Sequence, residues 1–64
     1  MFAEAPSALL VTVREAAHVL RVGRTKVYEL IEREALQSVK IDGSRRVVAA
    51  SLEAYVALLI SQIS

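Results

Sequence analysis

Apolar side chains recur along this chain at two different periods, and the change of period divides it. From Val13, the small or apolar positions Val13, Ala16, Ala17 and Leu20 share one face at helical spacing. They predict a helix of little more than two turns, running out near Arg21-Val22-Gly23. Thr12, followed three residues later by Glu15, is a capping-box pattern in which each side chain satisfies a backbone N–H at the other's position, so the helix should start there. A second helical stretch, Arg24 to Glu34, turns Val27, Leu30 and Ile31 inward, sets Tyr28 on the boundary and keeps its other face almost wholly polar. Two short helices joined by a brief turn containing glycine form a helix-turn-helix pattern, which an ordinary helical hairpin also satisfies.

Beyond Leu36 the period falls from about 3.6 to about 2. Ser38-Val39-Lys40-Ile41, then Asp42-Gly43-Ser44, then Arg45-Arg46-Val47-Val48 read as a β-hairpin, because Asp-Gly between β-branched runs is a strong turn signal. With Asp42-Gly43-Ser44 as the loop, Val39 faces Val47, Ile41 faces Arg45, and Lys40 lies opposite Arg46 on the outer face. From Ala49 to Ile63, the positions Leu52, Tyr55, Val56, Leu59, Ile60 and Ile63 form one helical stripe, so a third helix is expected. Ala57 and Leu58 widen that stripe beyond what so small a core can cover, leaving part of it to meet another chain. Ahead of all this, Leu9-Leu10-Val11 suits a brief strand, and residues 1–8, with the only proline and no sustained period, are expected to be a flexible arm.

The order helix, turn, helix, hairpin, helix predicts a mainly α fold with a small β-hairpin: a winged helix-turn-helix of three helices and a two-stranded wing over residues 9–64. At 64 residues there is room for one core only, since folded chains of this size bury about 60% of the surface their unfolded forms expose. With three aromatic residues and no cysteine, that core must be aliphatic, and neither disulfides nor thiolate metal sites are available. No apolar run approaches the roughly 20 residues of a membrane span, and the N-terminus lacks a signal-peptide pattern, so a cytoplasmic location and no membrane partner are expected.

Net charge is only +1, but its distribution is uneven. All eight basic residues lie between positions 12 and 46, against five acids there, while Val47 to Ser64 carries one acid and no base. The basic residues sit where a module of this order would touch DNA. Arg24, Thr25 and Lys26 open the second helix, whose N-terminal residues reach base edges in the major groove in this motif. Arginine pairs bidentately with guanine, lysine reaches the same acceptors or a phosphate, and threonine meets thymine or the backbone. The helix N-terminus favours phosphate by its N–H groups and dipole, and Tyr28, one turn on, has a hydroxyl to add or a ring to pack.

In the hairpin, Lys40 and Arg46 as direct neighbours would repel each other unless a phosphate lay between them. Gly43 lets the backbone come close, with Ser44 and Arg45 near the tip. The plainer role of these bases is to keep a sheet edge soluble. Glu29, Glu32 and Glu34 repel phosphate, and Glu29 with Arg33 has the i,i+4 spacing of an internal ion pair. Arg14 and Arg21 belong to the first helix and its turn. His18 has no second histidine or cysteine to complete a metal site or dyad, and no serine has an activating base in a known pattern, so no enzyme, cofactor or small-molecule substrate is expected.

The stretch from Leu9 to Val56, and above all TVREAAHVL with RVGRTKVYELI, then VKIDGSRRV, then SLEAY, resembles the excisionase-type DNA-binding domain related to the MerR regulators. The resemblance implies a winged helix whose second helix enters the major groove while the wing contacts the minor groove or backbone. On matching positions it points to Arg24, Thr25, Lys26 and Tyr28, and to Lys40, Gly43, Ser44, Arg45 and Arg46. Three residues depart from the pattern: Gly23 stands where a serine cap is usual, Glu34 where a glycine normally ends the helix, and Gln37 where proline is common. Since a left-handed Glu34 would cost roughly 1 kcal/mol relative to glycine, the second helix is expected to run slightly longer here.

Chains resembling this domain alone are similar to phage excisionases, or recombination directionality factors. Such proteins bind adjacent sites in an attachment region, bend the DNA, and direct an integrase toward excision of the viral genome. Because bending a 20–30 base-pair site costs on the order of 1–6 kcal/mol, cooperative binding by several touching copies is expected. A small transcriptional regulator with the same fold, and a protein-interaction module built on the last helix, remain open beside this.

Overall fold

A computed structural model describes residues 9–63; the arm expected over residues 1–8 lies outside the described residues. The chain forms β1 (Leu10–Thr12), α1 (Val13–Leu20), α2 (Arg24–Glu32), β2 (Ser38–Ile41), β3 (Ser44–Val48) and α3 (Ala49–Ile63). This is the mainly helical winged helix-turn-helix that the periodicity predicts, with one addition. The brief strand near Leu9-Leu10-Val11 falls one residue later and pairs antiparallel with β3, so the wing belongs to a three-stranded sheet of order β1-β3-β2.

The start of α1 is fixed locally. Thr12 Oγ1 accepts from the Glu15 N–H at 2.9 Å and Glu15 Oε1 accepts from the Thr12 N–H at 2.8 Å, completing the capping box. Val13, Ala16 and Ala17 are buried on its inner face. The helix stops where Arg21 turns left-handed at φ 60°. There the Val22 N–H reaches the Ala17 carbonyl and the Arg21 N–H reaches that of His18, the two bonds of a Schellman motif.

The second helix ends in the same way, which corrects the expected extension to Glu34. It stops at Glu32, and Glu34 takes the left-handed conformation at φ 64°. Its N–H reaches the Ile31 carbonyl at 3.0 Å and that of Ala35 reaches Leu30 at 2.9 Å. The reversal drops Leu36 into the core at 1% exposure. Burying a leucine contributes about 1.5–3 kcal/mol, which exceeds the roughly 1 kcal/mol cost of a left-handed glutamate.

The core consists of Val13, Ala16, Ala17, Val27, Leu30, Leu36, Val47 and Leu52, with Val11, Leu20, Ile31, Ala35 and Tyr55 packed against it. α1 lies at its centre, in contact with α2 and with β1 and β3. α3 leans on β3 through its first turns, where Leu52 is buried and Tyr55 and Val56 are half-buried. Further along, Leu58, Leu59 and Ile60 are exposed, so the stripe read from the sequence leaves the core before its end.

Gln37 uses the hydrogen that proline would lack. Its N–H donates to Ser51 Oγ at 3.0 Å, and that hydroxyl donates to the Val48 carbonyl at 2.7 Å, tying the loop after α2 to the first turn of α3.

Candidate nucleic-acid interface

Three residues, Arg21 to Gly23, join α1 to α2, and Gly23 enters α2 in an extended conformation (φ −76°, ψ 163°). The first N–H groups of a helix have no partner within it, and here no side chain caps them. A helix start of this kind carries a partial positive charge and free donors. Val27 and Leu30 anchor the helix at 0% and 4% exposure, and with them fixed, Arg24, Thr25, Lys26 and Tyr28 all stand exposed. Placing Arg24 and Lys26 in the first turn works against the helix dipole, so local stability does not account for them.

The wing closes differently from the sequence expectation. Asp42 and Gly43 both have positive φ, 48° and 83°, as a two-residue type I′ turn requires, and Ser44 is the first residue of β3. The register is therefore Ile41 opposite Ser44, Lys40 opposite Arg45, Val39 opposite Arg46 and Ser38 opposite Val47. The expected pairs Val39 with Val47, Ile41 with Arg45 and Lys40 with Arg46 do not form. Taking Ser44 out of the loop shifts every pair by one residue. A Cβ at Gly43 would meet nothing within 4 Å, so its requirement is the positive φ alone.

The like-charge juxtaposition survives with a different partner. Lys40 and Arg45 face each other directly across the ladder. Arg45 is half-buried, and its Nη1 donates to Ser38 Oγ at 2.8 Å, diagonally across the hairpin. Arg46, also half-buried, lies between Val39 and Thr12 and reaches the Arg45 carbonyl at 3.4 Å.

Among the described residues one ion pair forms, between Lys26 Nζ and Glu29 Oε1 at 3.5 Å. The pair expected between Glu29 and Arg33 is absent. The backbone spacing is intact, since the Arg33 N–H still reaches the Glu29 carbonyl at 3.0 Å as in a helix; the Glu29 carboxylate lies against Lys26 instead. Arg14, Arg21, Arg24, Arg33, Lys40, Arg45 and Arg46 thus have no carboxylate within ion-pair distance among the described residues. His18 is exposed at the end of α1. No group of three His, Cys, Asp or Glu side chains among the described residues is placed to hold a metal ion, and no helix is long and apolar enough to cross a membrane.

The predicted site residues therefore fall into two groups: Arg24, Thr25, Lys26 and Tyr28 on one helical turn, and Lys40, Gly43, Ser44, Arg45 and Arg46 on one hairpin. The elements that carry them are joined through α1, which packs on both α2 and β3. Sequence reasoning missed Ser38 as the acceptor that orients Arg45. The signal was available only once the two-residue turn set the register.

A family model described as a helix-turn-helix domain matches residues 10–57, three quarters of the chain. The chain is similar to a probable excisionase of Saccharopolyspora erythraea, 42% identical over 57 residues that cover 89% of this chain and 58% of that protein. It is also similar to an excisionase of Streptomyces ambofaciens, 58% identical over 38 residues that cover 59% of this chain and 61% of that protein. The aligned parts thus span about three fifths of the length of these relatives. No solved structure gives a significant match.

Proposed function

This chain belongs to the helix-turn-helix domain family, and from that premise we propose that it is a sequence-specific DNA-binding protein of the excisionase type, without catalysis of its own. In this reading the start of α2 enters the major groove with Arg24, Thr25, Lys26 and Tyr28. The wing lies on the adjacent backbone or minor groove with Lys40, Gly43, Ser44, Arg45 and Arg46. Copies bound at neighbouring sites of a phage attachment region bend the DNA and steer an integrase toward excision, inside a bacterial cytoplasm. The names of the two excisionase relatives support the recombination role.

One observation carries the DNA-binding reading: Lys40 and Arg45 are directly opposed on a two-residue hairpin, with no acid among the described residues paired to either. Directly opposed like charges destabilise a sheet, and a phosphate oxygen placed between them turns that repulsion into attraction. Arginine in a narrow minor groove gains in the same way from concentrated negative potential.

The test is the salt dependence of binding to duplex DNA beside the gene. Affinity should fall by roughly 0.9 log unit per log unit of salt for each phosphate neutralised. Arg45→Ala with Arg46→Ala should flatten that slope while weakening all sequences about equally, whereas Arg24→Ala should relax preference at one base position. Absence of any salt-dependent shift at low ionic strength would overturn the reading in favour of a protein-interaction module. Footprints on adjacent direct repeats, with bending by circular permutation, are expected; a single palindrome overlapping a promoter would instead assign transcriptional regulation.

A further inference from the structure

Lys26 and Glu29 are one turn apart on α2, each immediately before a buried residue, Val27 and Leu30 respectively. A step of about 100° per residue turns both off the buried face. Their side chains are 49% and 53% exposed, and Nζ lies 3.5 Å from Oε1. As a device for helix stability this pair is the wrong way round. Acid before base is the favourable order along a helix, and a lysine in the first turn opposes the dipole. Glu29 has Arg33 four residues on in the favourable order, yet it holds Lys26.

We propose that Lys26 and Glu29 act as one reading unit for a G·C base pair in the major groove, an inference that rests on the DNA-binding reading above. Guanine presents N7 and O6 as acceptors, and its partner cytosine presents the N4 amino group as donor. O6 and N4 are hydrogen-bonded to each other, so they stand about 3 Å apart. An ammonium and a carboxylate already paired at 3.5 Å present a donor and an acceptor at nearly the same spacing. The ammonium meets guanine O6 and N7, and the carboxylate accepts from cytosine N4.

An A·T pair fits the unit poorly. A carboxylate aimed at adenine N6 also faces the N7 acceptor beside it, whereas the hydrogen-bonding edge of cytosine offers only the amino group. This gives Glu29 a place in a surface that otherwise attracts phosphate: it repels the backbone and is admitted where a cytosine amino group waits. Glu29 is then a specificity-determining residue, and Lys26 a base reader in place of a phosphate contact.

The experiment is selection of bound sites from a random duplex pool by the wild-type chain, Lys26→Met, Glu29→Gln and the double variant, followed by affinities for duplexes changed at single positions. Both residues are exposed, and circular dichroism should give the wild-type spectrum for each variant. The wild type should prefer G·C at one position by about tenfold, which corresponds to about 1.4 kcal/mol. Each single variant should lose that preference at the same position, and the double variant should lose no more than either single, because the two act as a unit.

If Lys26→Met weakens all sequences evenly and Glu29→Gln tightens all evenly, the pair is not a reader and the proposal is overturned while DNA binding stands. It is equally overturned if the two variants relax different positions. A wild-type chain with no affinity for any duplex overturns the DNA-binding reading itself, and this inference with it.

Discussion

Arg21 and Glu34 are two charged residues held in a left-handed conformation that glycine would adopt freely, each closing a Schellman motif. Since that conformation costs an L-residue about 1–2 kcal/mol, Arg21→Gly and Glu34→Gly should each stabilise the free protein by about 1 kcal/mol. Urea denaturation would register this as a higher midpoint at unchanged slope. A lower midpoint for either variant would mean that the charged side chain makes a compensating contact. The capping box of Thr12 and Glu15 was legible in the sequence because both partners are local and their spacing alone defines it. The end of α2 was not, because the deciding quantity is non-local. Nothing in RTKVYELIERE says that Leu36 will find a cavity between helix and sheet, and it is that burial which outweighs the strain at Glu34.

Within the wing, Asp42-Gly43 announced a hairpin without settling its register. Ser44 is as acceptable in a turn as at the start of a strand, and a loop of two residues or three sends each side chain to opposite faces. The sequence therefore identified the cationic hairpin but named the wrong opposing pair, Lys40 with Arg46 in place of Lys40 with Arg45. The observed register predicts a trade-off between folding and binding. Lys40→Thr removes the like-charge pair and supplies a β-branched residue, so it should stabilise the free domain by roughly 0.2–1 kcal/mol. The gain should shrink as salt screens the charges. The same variant should lower the salt slope of DNA binding by roughly 0.9, one phosphate's worth. Thermal unfolding and salt-dependent gel shifts on one preparation check both halves; a destabilised variant, or an unchanged slope, would show that Lys40 serves the edge strand and not the polyanion.

Eight buried side chains, two of them alanines and none aromatic, hold the described part of the molecule together. The helical stripe of α3 was readable from its spacing, but spacing cannot tell how far along the helix the core extends. The structure sets that limit near Val56, beyond which Leu58 is 54% and Leu59 37% exposed. In the proposed function this surface has a use. Smoothly bending a 20–30 base-pair site costs on the order of 1–6 kcal/mol, and copies that touch each other on adjacent sites share that cost. Leu58→Glu tests the assignment, because a charge at an exposed position should leave folding stability within about 0.5 kcal/mol. Affinity for a single isolated site should likewise stay within about twofold, since 0.5 kcal/mol is roughly that factor. Binding to two adjacent sites should lose its cooperativity, a coupling that typically amounts to 5–150-fold, and the bend angle should fall with it. Quantitative footprinting on one-site and two-site duplexes separates the terms. If Leu58→Glu keeps full cooperativity on the two-site duplex, the copies are coupled through the DNA alone, and the exposed end of α3 is not where they meet.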